Sequence, residues 1–258
     1  MPVVMNEPDN PGREIALLAH RGYAARYPEN TREALGAAVA VGARNLEFDI
    51  QLSADKVPFL LHDKDFRRTA HIDATVFELD AEDVASIDVH EPARFGDEFL
   101  GVRAPRLADI VADLTGWPGV TAFVELKRQS IDHFGLDVVL DAVLPVLQPV
   151  LEQCVLISFR LDAVLAARER CGCRIGWALR SWSEENLRLA AELAPEYLFC
   201  NVEKLPPGTE PLPAGSWTWV VYEIVNPAEV QPLVARGVEM IETMAYAELA
   251  AADLRASE

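Results

Sequence analysis

Two carboxylates one residue apart, Glu47 and Asp49, close an apolar run, and a histidine followed by a further acid, His62-Asp63, closes the next. On an extended strand, residues two apart share a face, so Glu47 and Asp49 project together while Phe48 points the other way. Two carboxylates roughly 4 Å apart repel by about 4 kcal/mol at an effective dielectric near 20. Such a pair calls for a proton, a basic neighbour or a cation. Oxygen donors of this kind suit a hard divalent ion, Mg²⁺ or Ca²⁺. A third signal, His20-Arg21, closes the run at 15–19. Strand ends are where α/β barrels and sheets carry their chemistry.

Between the acid pair and His62 the chain reads as a hairpin. Ile50-Gln51-Leu52-Ser53 and Val57-Pro58-Phe59-Leu60-Leu61 flank the polar turn Ala54-Asp55-Lys56. With the turn centred on Asp55, antiparallel pairing sets residue 62 across from about residue 48, which returns His62 to the carboxylates. Singly, each piece has an ordinary reading: a Glu-x-Asp is a solvated strand face, a His-Asp a surface or capping pair. Three separate strand ends carrying a histidine, an acid pair and a histidine make the conjunction informative.

The set His20-Arg21-Gly22, Pro28-Glu29-Asn30-Thr31, Glu47-Phe48-Asp49, His62-Asp63 and Glu125-Leu126-Lys127, in this order, resembles the glycerophosphodiester phosphodiesterase family. The similarity runs over nearly the whole chain and fades toward the C-terminus. It implies metal-dependent hydrolysis of glycerophosphodiesters to an alcohol and glycerol 3-phosphate. It further implies a cation held by Glu47, Asp49 and Glu125, phosphate contacts from Arg21 and Lys127, and His20 and His62 as general acid and base, in an order left open. The ordinary imidazole pKa, near 6.5, suits both tasks. Glu29 falls at the edge of the site by the same resemblance, and Arg68-Thr69 and Ser158-Phe159 are further family-like pairs.

Two departures stand out. Tyr222-Glu223-Ile224-Val225 replaces the usual Trp-Thr-Val-Asn, and Thr243-Met244 replaces Thr-Asp. Tyr222 still offers an aromatic wall to a glycerol or headgroup, whereas Glu223 puts a carboxylate where a neutral group is usual and leaves the alcohol moiety open. Two rival expectations remain: a sphingomyelinase D or lysophospholipase D like phosphodiesterase working at membranes, and a non-catalytic phosphate-binding barrel.

The elements that must position these residues alternate strand and helix. Strands are expected at 15–19, 44–49, 120–124, 154–158, 173–179, 196–200, 217–224 and 238–241, and helices at 32–41, 107–114, 162–170, 183–193, 227–236 and 245–254. Residues 134–151 have helical spacing broken by Pro145 and Pro149. Eight strands without the hairpin arm predict an α/β fold, a TIM (β/α)8 barrel over 1–258 as a single domain. A small cap insertion at about 65–103, helical near 81–87, is expected over its C-terminal face. His71, His90 and His133 have no acid pattern around them and read as surface histidines.

Composition narrows the partners. The chain of 258 residues has a net charge of −18, which disfavours nucleic acid and anionic membranes. A small phosphodiester remains admissible if a cation, Arg21 and Lys127 invert the sign locally. The four cysteines, three of them in or beside apolar runs, read as free, mostly buried thiols rather than a metal site. The N-terminal stretch has no basic start and no apolar h-region, which leads to the expectation of a cytoplasmic protein without stable membrane association.

Overall fold

A computed structural model describes residues 15–252. Its strands are β1 (Ala16–Ala19), β2 (Asn45–Leu52), β3 (Pro58–Leu60), β4 (Thr121–Leu126), β5 (Cys154–Ser158), β6 (Arg174–Ala178), β7 (Tyr197–Asn201), β8 (Thr218–Tyr222) and β9 (Met240–Thr243). All but β3 pair in parallel, in the order β1-β9-β8-β7-β6-β5-β4-β2, and a β1–β2 pairing closes the ring. This is the eight-stranded TIM barrel that the alternation of runs predicts, with helices around it. The N-terminal stretch and the end of the expected helix 245–254 lie outside the described residues.

Strand alternation divides the apolar residues into two layers. Leu18, Phe123, Ile157, Phe199, Val220 and Met240 fill the interior as one buried cluster. The opposite parity packs outward under the helices: Phe48, Val124, Leu156, Leu198 and Ile241 join the larger core with Leu35, Ile110 and Leu140. Inside, Phe123 meets Tyr197 and Phe199 edge-on at 4.8 and 6.0 Å. Gly176 makes that possible, since a Cβ there would stand 2.7 Å from the Phe199 ring. Followed one step further, the inward row delivers His20, Glu125, Tyr222 and Glu242 to one mouth, where Glu47 and Asp49 also point.

The hairpin has the expected register. Ile50 faces Leu60, Gln51 faces Phe59 and Leu52 faces Pro58, so extension of the pairing sets residue 62 across from 48. The backbone N–H of Leu61 donates to the Asp49 carbonyl at 3.0 Å. Beyond β3 the chain forms short helices Arg67–Ala70, Ala81–Ser86 and Pro92–Phe95 around an apolar cluster of their own, with Phe66, Val76, Val84 and Val102 at its centre. Asp80 caps the middle helix through the N–H groups of Glu82 and Asp83.

Several local expectations differ from the structure: the expected strand 217–224 covers only Thr218–Tyr222, and the expected helix 227–236 is a 3-10 turn Pro227–Glu229 followed by a short helix Val230–Val234. The last strand is expected at 238–241 and lies at Met240–Thr243, because Gly237 and Val238 still donate to Val234 and Leu233 of the preceding turn. The helical stretch 134–151 is two elements, Leu136–Leu147 and a 3-10 turn Gln148–Gln153, preceded by an unforeseen helix Arg128–Phe134 that ends at Gly135, φ 90°. His90 is not a surface histidine, since its partly buried ring bonds Asp88 at 2.8 Å. The thiols follow expectation: Cys154, Cys173 and Cys200 are buried and all four are free. Among the described residues no single helix is long and apolar enough to cross a membrane.

Candidate active site

His20, Arg21, Glu125, Lys127 and Tyr222 stand at or just past the ends of β1, β4 and β8, Glu47 and Asp49 lie within β2, and His62 follows the hairpin strand β3. Carboxylate oxygens of Glu47 and Asp49 on β2 and Glu125 on the adjacent β4 lie within 4.8 Å of one another. The pairing Asp49↔Glu125 in the β2–β4 ladder sets this proximity directly. His20 follows β1, and its Nε2 is 3.9 Å from Glu47 Oε2 and 4.0 Å from Glu242 Oε1. The backbone N–H of Arg21, at φ 55°, donates to Glu47 Oε2 at 3.0 Å.

The two predicted cations are engaged with acids. Lys127 Nζ donates to Asp49 Oδ1 at 3.1 Å and lies 3.0 Å from Glu125 Oε1. The Arg21 guanidinium donates to Glu29 at 3.1 Å and its Nε lies 3.2 Å from Asp49 Oδ2. Arg68 also grips Glu29, at 2.6 and 2.8 Å, and reaches Asp63 at 2.8 Å. Asp63 in turn bonds His62 Nδ1 at 2.9 Å. A buried relay holds the same loop from below: Ser130 donates to Gln51 at 2.6 Å, and Gln51 donates to the His62 carbonyl at 3.2 Å.

Asn30 and Thr31 divide the work that the sequence leaves between them. Thr31 caps the helix Arg32–Ala40, accepting from Ala34 N–H at 3.1 Å. Asn30, at φ 56°, is thereby free to face Asp49, donating to Oδ2 at 2.8 Å and accepting from its N–H at 3.0 Å.

Electrostatics separates the acids. Burial raises the Asp49 pKa, but Lys127 and Arg21 outweigh it and hold the group well below the usual carboxylate range. Glu47 goes the other way: burial and then the Asp49 and Glu242 charges push it well up. Burial raises Glu125 with Lys127 opposing, and burial with Glu125 raises Glu242. His20 is held well below its ordinary value by burial and the neighbouring Arg21, and its Nδ1 has no hydrogen-bond partner among the described residues.

A model of the "Glycerophosphoryl diester phosphodiesterase family" matches residues 20–210. The chain belongs to this family. A glycerophosphodiester phosphodiesterase of Caldanaerobacter subterraneus subsp. tengcongensis is 30% identical over 121 residues, 47% of this chain and 49% of that protein. Glycerophosphodiester phosphodiesterase 1 of Rattus norvegicus is 33% identical over 120 residues, 46% of this chain and 36% of that one. The chain thus matches about half or less of the length of these curated relatives. Among solved structures, a phosphodiesterase from Oleispira antarctica in complex with the product sn-glycerol-3-phosphate superposes with a TM-score of 0.79 at 18% identity, over 91% of this chain and 95% of that one. A glycerophosphodiester phosphodiesterase from Thermotoga maritima gives 0.70 at 20% identity, over 92% and 97%. At these identities the likeness concerns the fold.

The acidic cluster of this glycerophosphoryl diester phosphodiesterase family member fits a divalent cation on its own charge. Glu29, Glu47, Asp49, Glu125 and Glu242 are buried together against Arg21, Lys127 and the half-exposed Arg68, five carboxylates against three cations. Fully ionised, the five leave two negative charges beyond these three cations, which a divalent ion with oxygen ligands neutralises; without it the raised pKa values of Glu47, Glu125 and Glu242 favour protons in its place. Glu242 is the residue the sequence reading misses. Its inward parity with Met240 is the available signal, but apolarity ends the expected strand at residue 241.

Proposed function

We propose that this chain hydrolyses glycerophosphodiesters to an alcohol and sn-glycerol 3-phosphate, using Mg²⁺ or Ca²⁺ held by Glu47, Asp49 and Glu125. The observation that carries the reading is the convergence of these three carboxylates beside His20 in a chain of this family. The product bound to the Oleispira antarctica neighbour supports the product class. When bound, the cation polarises a phosphate oxygen and offsets the charge that develops in the transition state.

The chain's own groups then have distinct tasks. His20, kept neutral by burial and Arg21, accepts the proton of the attacking oxygen. His62 is oriented through Nδ1 by Asp63, itself pinned by Arg68, which leaves Nε2 to protonate the leaving alcohol. Lys127, held between Asp49 and Glu125, would offer its ammonium to a non-bridging phosphate oxygen if those two acids held the cation. Arg21, fixed between Glu29 and Asp49, lends positive potential to the same phosphate. Tyr222, partly buried near Glu242, walls the alcohol side. A small-molecule partner rather than nucleic acid or a membrane follows from the charge of −18, and a cytoplasmic setting accords with the four free thiols.

The test is release of sn-glycerol 3-phosphate from glycerophosphocholine and glycerophosphoethanolamine, with EDTA and then Mg²⁺ or Ca²⁺ added back. Metal-restored release is expected, and His20→Ala is expected to lower kcat by about 10² to 10⁴ with ligand affinity kept. Absence of metal-dependent release sinks the proposal. Faster turnover of lysolipid vesicles than of soluble diesters transfers the assignment to the membrane-acting rival, and ligand binding without turnover to a non-catalytic barrel.

A further inference from the structure

Beside the carboxylate cluster a cavity of about 300 Å³ opens at the ends of β4 to β7. Glu125 and Lys127 form its inner wall, so it is continuous with the candidate active site. Its outer wall is Phe159, just past β5, with Arg128, Arg180 and Lys204. Four of these side chains are cationic, in a chain whose net charge is −18.

Lys127 is held by Asp49 and Glu125, but the outer-wall cations have little such use in the fold. Arg180 stands exposed just past β6, and Lys204 ends the 3-10 turn Val202–Lys204 that follows β7. Among the described residues neither has an ion-pair partner. Arg128 has one distant acid, Asp132 at 3.7 Å. The other half of the ring has the opposite sign: Glu242 ends the inward row of β9, and the exposed Glu223 follows Tyr222 at the end of β8. The mouth is therefore polarised across the position of the scissile phosphate, basic on the β4–β7 side and acidic on the β8–β9 side. A charged group attached to the diester is sorted by that gradient.

We propose that the Arg128/Arg180/Lys204 pocket is the subsite for a second anionic group on the substrate, so that the preferred diesters have a carboxylate or phosphate on the alcohol they release. The inference rests on the diester hydrolysis proposed above. Glycerol has only hydroxyls besides the scissile phosphate, so a second anion belongs to the alcohol. A cavity of this size holds a headgroup of a few carbons with its charged terminus. Choline and ethanolamine headgroups find like charge there.

The experiment compares kcat/KM of the full chain, loaded with Mg²⁺, on a diester whose headgroup is a hydroxy acid and on one whose headgroup is phosphorylated, both without an amine, against glycerophosphocholine. The wild type is expected to favour the anionic headgroups by about tenfold or more, mostly through KM, with the preference shrinking as NaCl is raised. The double variant Arg180→Ala/Lys204→Ala, at two exposed positions, is expected to reduce the anionic-to-choline ratio about tenfold, and Arg180→Glu to reverse it. An unchanged ratio, or an equal fall on all substrates, overturns the inference while leaving diester hydrolysis standing; absence of any turnover removes both. A binding arm needs no catalysis: inorganic phosphate titrated into EDTA-dialysed protein is expected to bind saturably to the wild type and not to the double variant. Phosphate binding without substrate preference assigns the pocket to free phosphate and overturns the substrate assignment; no phosphate binding removes the anion subsite itself.

Discussion

Glu242 shows how one side chain changes the chemistry around it. It lies 4.0 Å from His20 Nε2, and its own pKa is raised by burial and by Glu125. A carboxylate in that position is repelled in the metal-free protein and welcomed once a cation is present. Glu242→Gln keeps the shape and removes the charge. The metal-free variant is expected to be more stable than the wild type, since burial and the Glu125 charge both disfavour the ionised form at this position. Its Mg²⁺ affinity is expected to be weaker by about tenfold, a loss typical of groups that support metal ligands. Urea melts without metal and a Mg²⁺ titration by calorimetry check both; a destabilised metal-free variant with unchanged affinity contradicts the charge argument.

The turn from β1 into the first helix sets where His20 and Arg21 stand. Arg21 and Gly22 are consecutive left-handed residues, at φ 55° and 79°. Gly22 sits against the helix Arg32–Ala40, where an added Cβ would lie 2.5 Å from the Ala34 carbonyl carbon, a contact backbone cannot relieve. The same turn aims Arg21 N–H at Glu47 and lets Tyr23 N–H reach the Ala34 carbonyl at 2.9 Å. Gly22→Ala is therefore expected to cost about 2 kcal/mol or more, from strain at positive φ added to the clash. The urea midpoint measures it; a neutral substitution means the turn is not what places His20.

For the whole molecule, the buried acids link stability to pH and to metal. Glu47, Glu125 and Glu242 have raised pKa values in the fold, so the folded protein holds protons that the unfolded chain gives up. Stability of the metal-free protein falls as pH rises through those folded values. His20, depressed in the fold, acts in the opposite sense only below its ordinary value near 6.5, so above about pH 7 it is silent. Mg²⁺ at about 100 times its Kd is expected to raise the Tm by roughly 5–10 °C, and at one fixed Mg²⁺ concentration the shift is expected to be larger at the higher of two pH values, as competing protons leave the raised acids. Thermal melts at the two pH values decide it, and equal shifts at both contradict the linkage.

Local spacing made the barrel and half the site readable. Apolar runs alternating with helical ones require a parallel sheet, and residues two apart on a strand share a face, so Glu47 with Asp49 and Glu125 with Lys127 are paired by the chain alone. The hairpin brings His62 back for the same reason, a register counted from its turn. Glu242 stayed hidden because its strand starts two residues later than apolarity suggests, where the preceding turn keeps the Gly237 and Val238 amides. Nor does any local pattern say that Thr31 caps while Asn30 binds Asp49, that Lys127 bridges two acids, or that Arg180 and Lys204 line one cavity. Strand spacing acts over a few residues, whereas these meetings depend on ring closure, which joins strand ends distant in the chain and sets the charge each side chain faces.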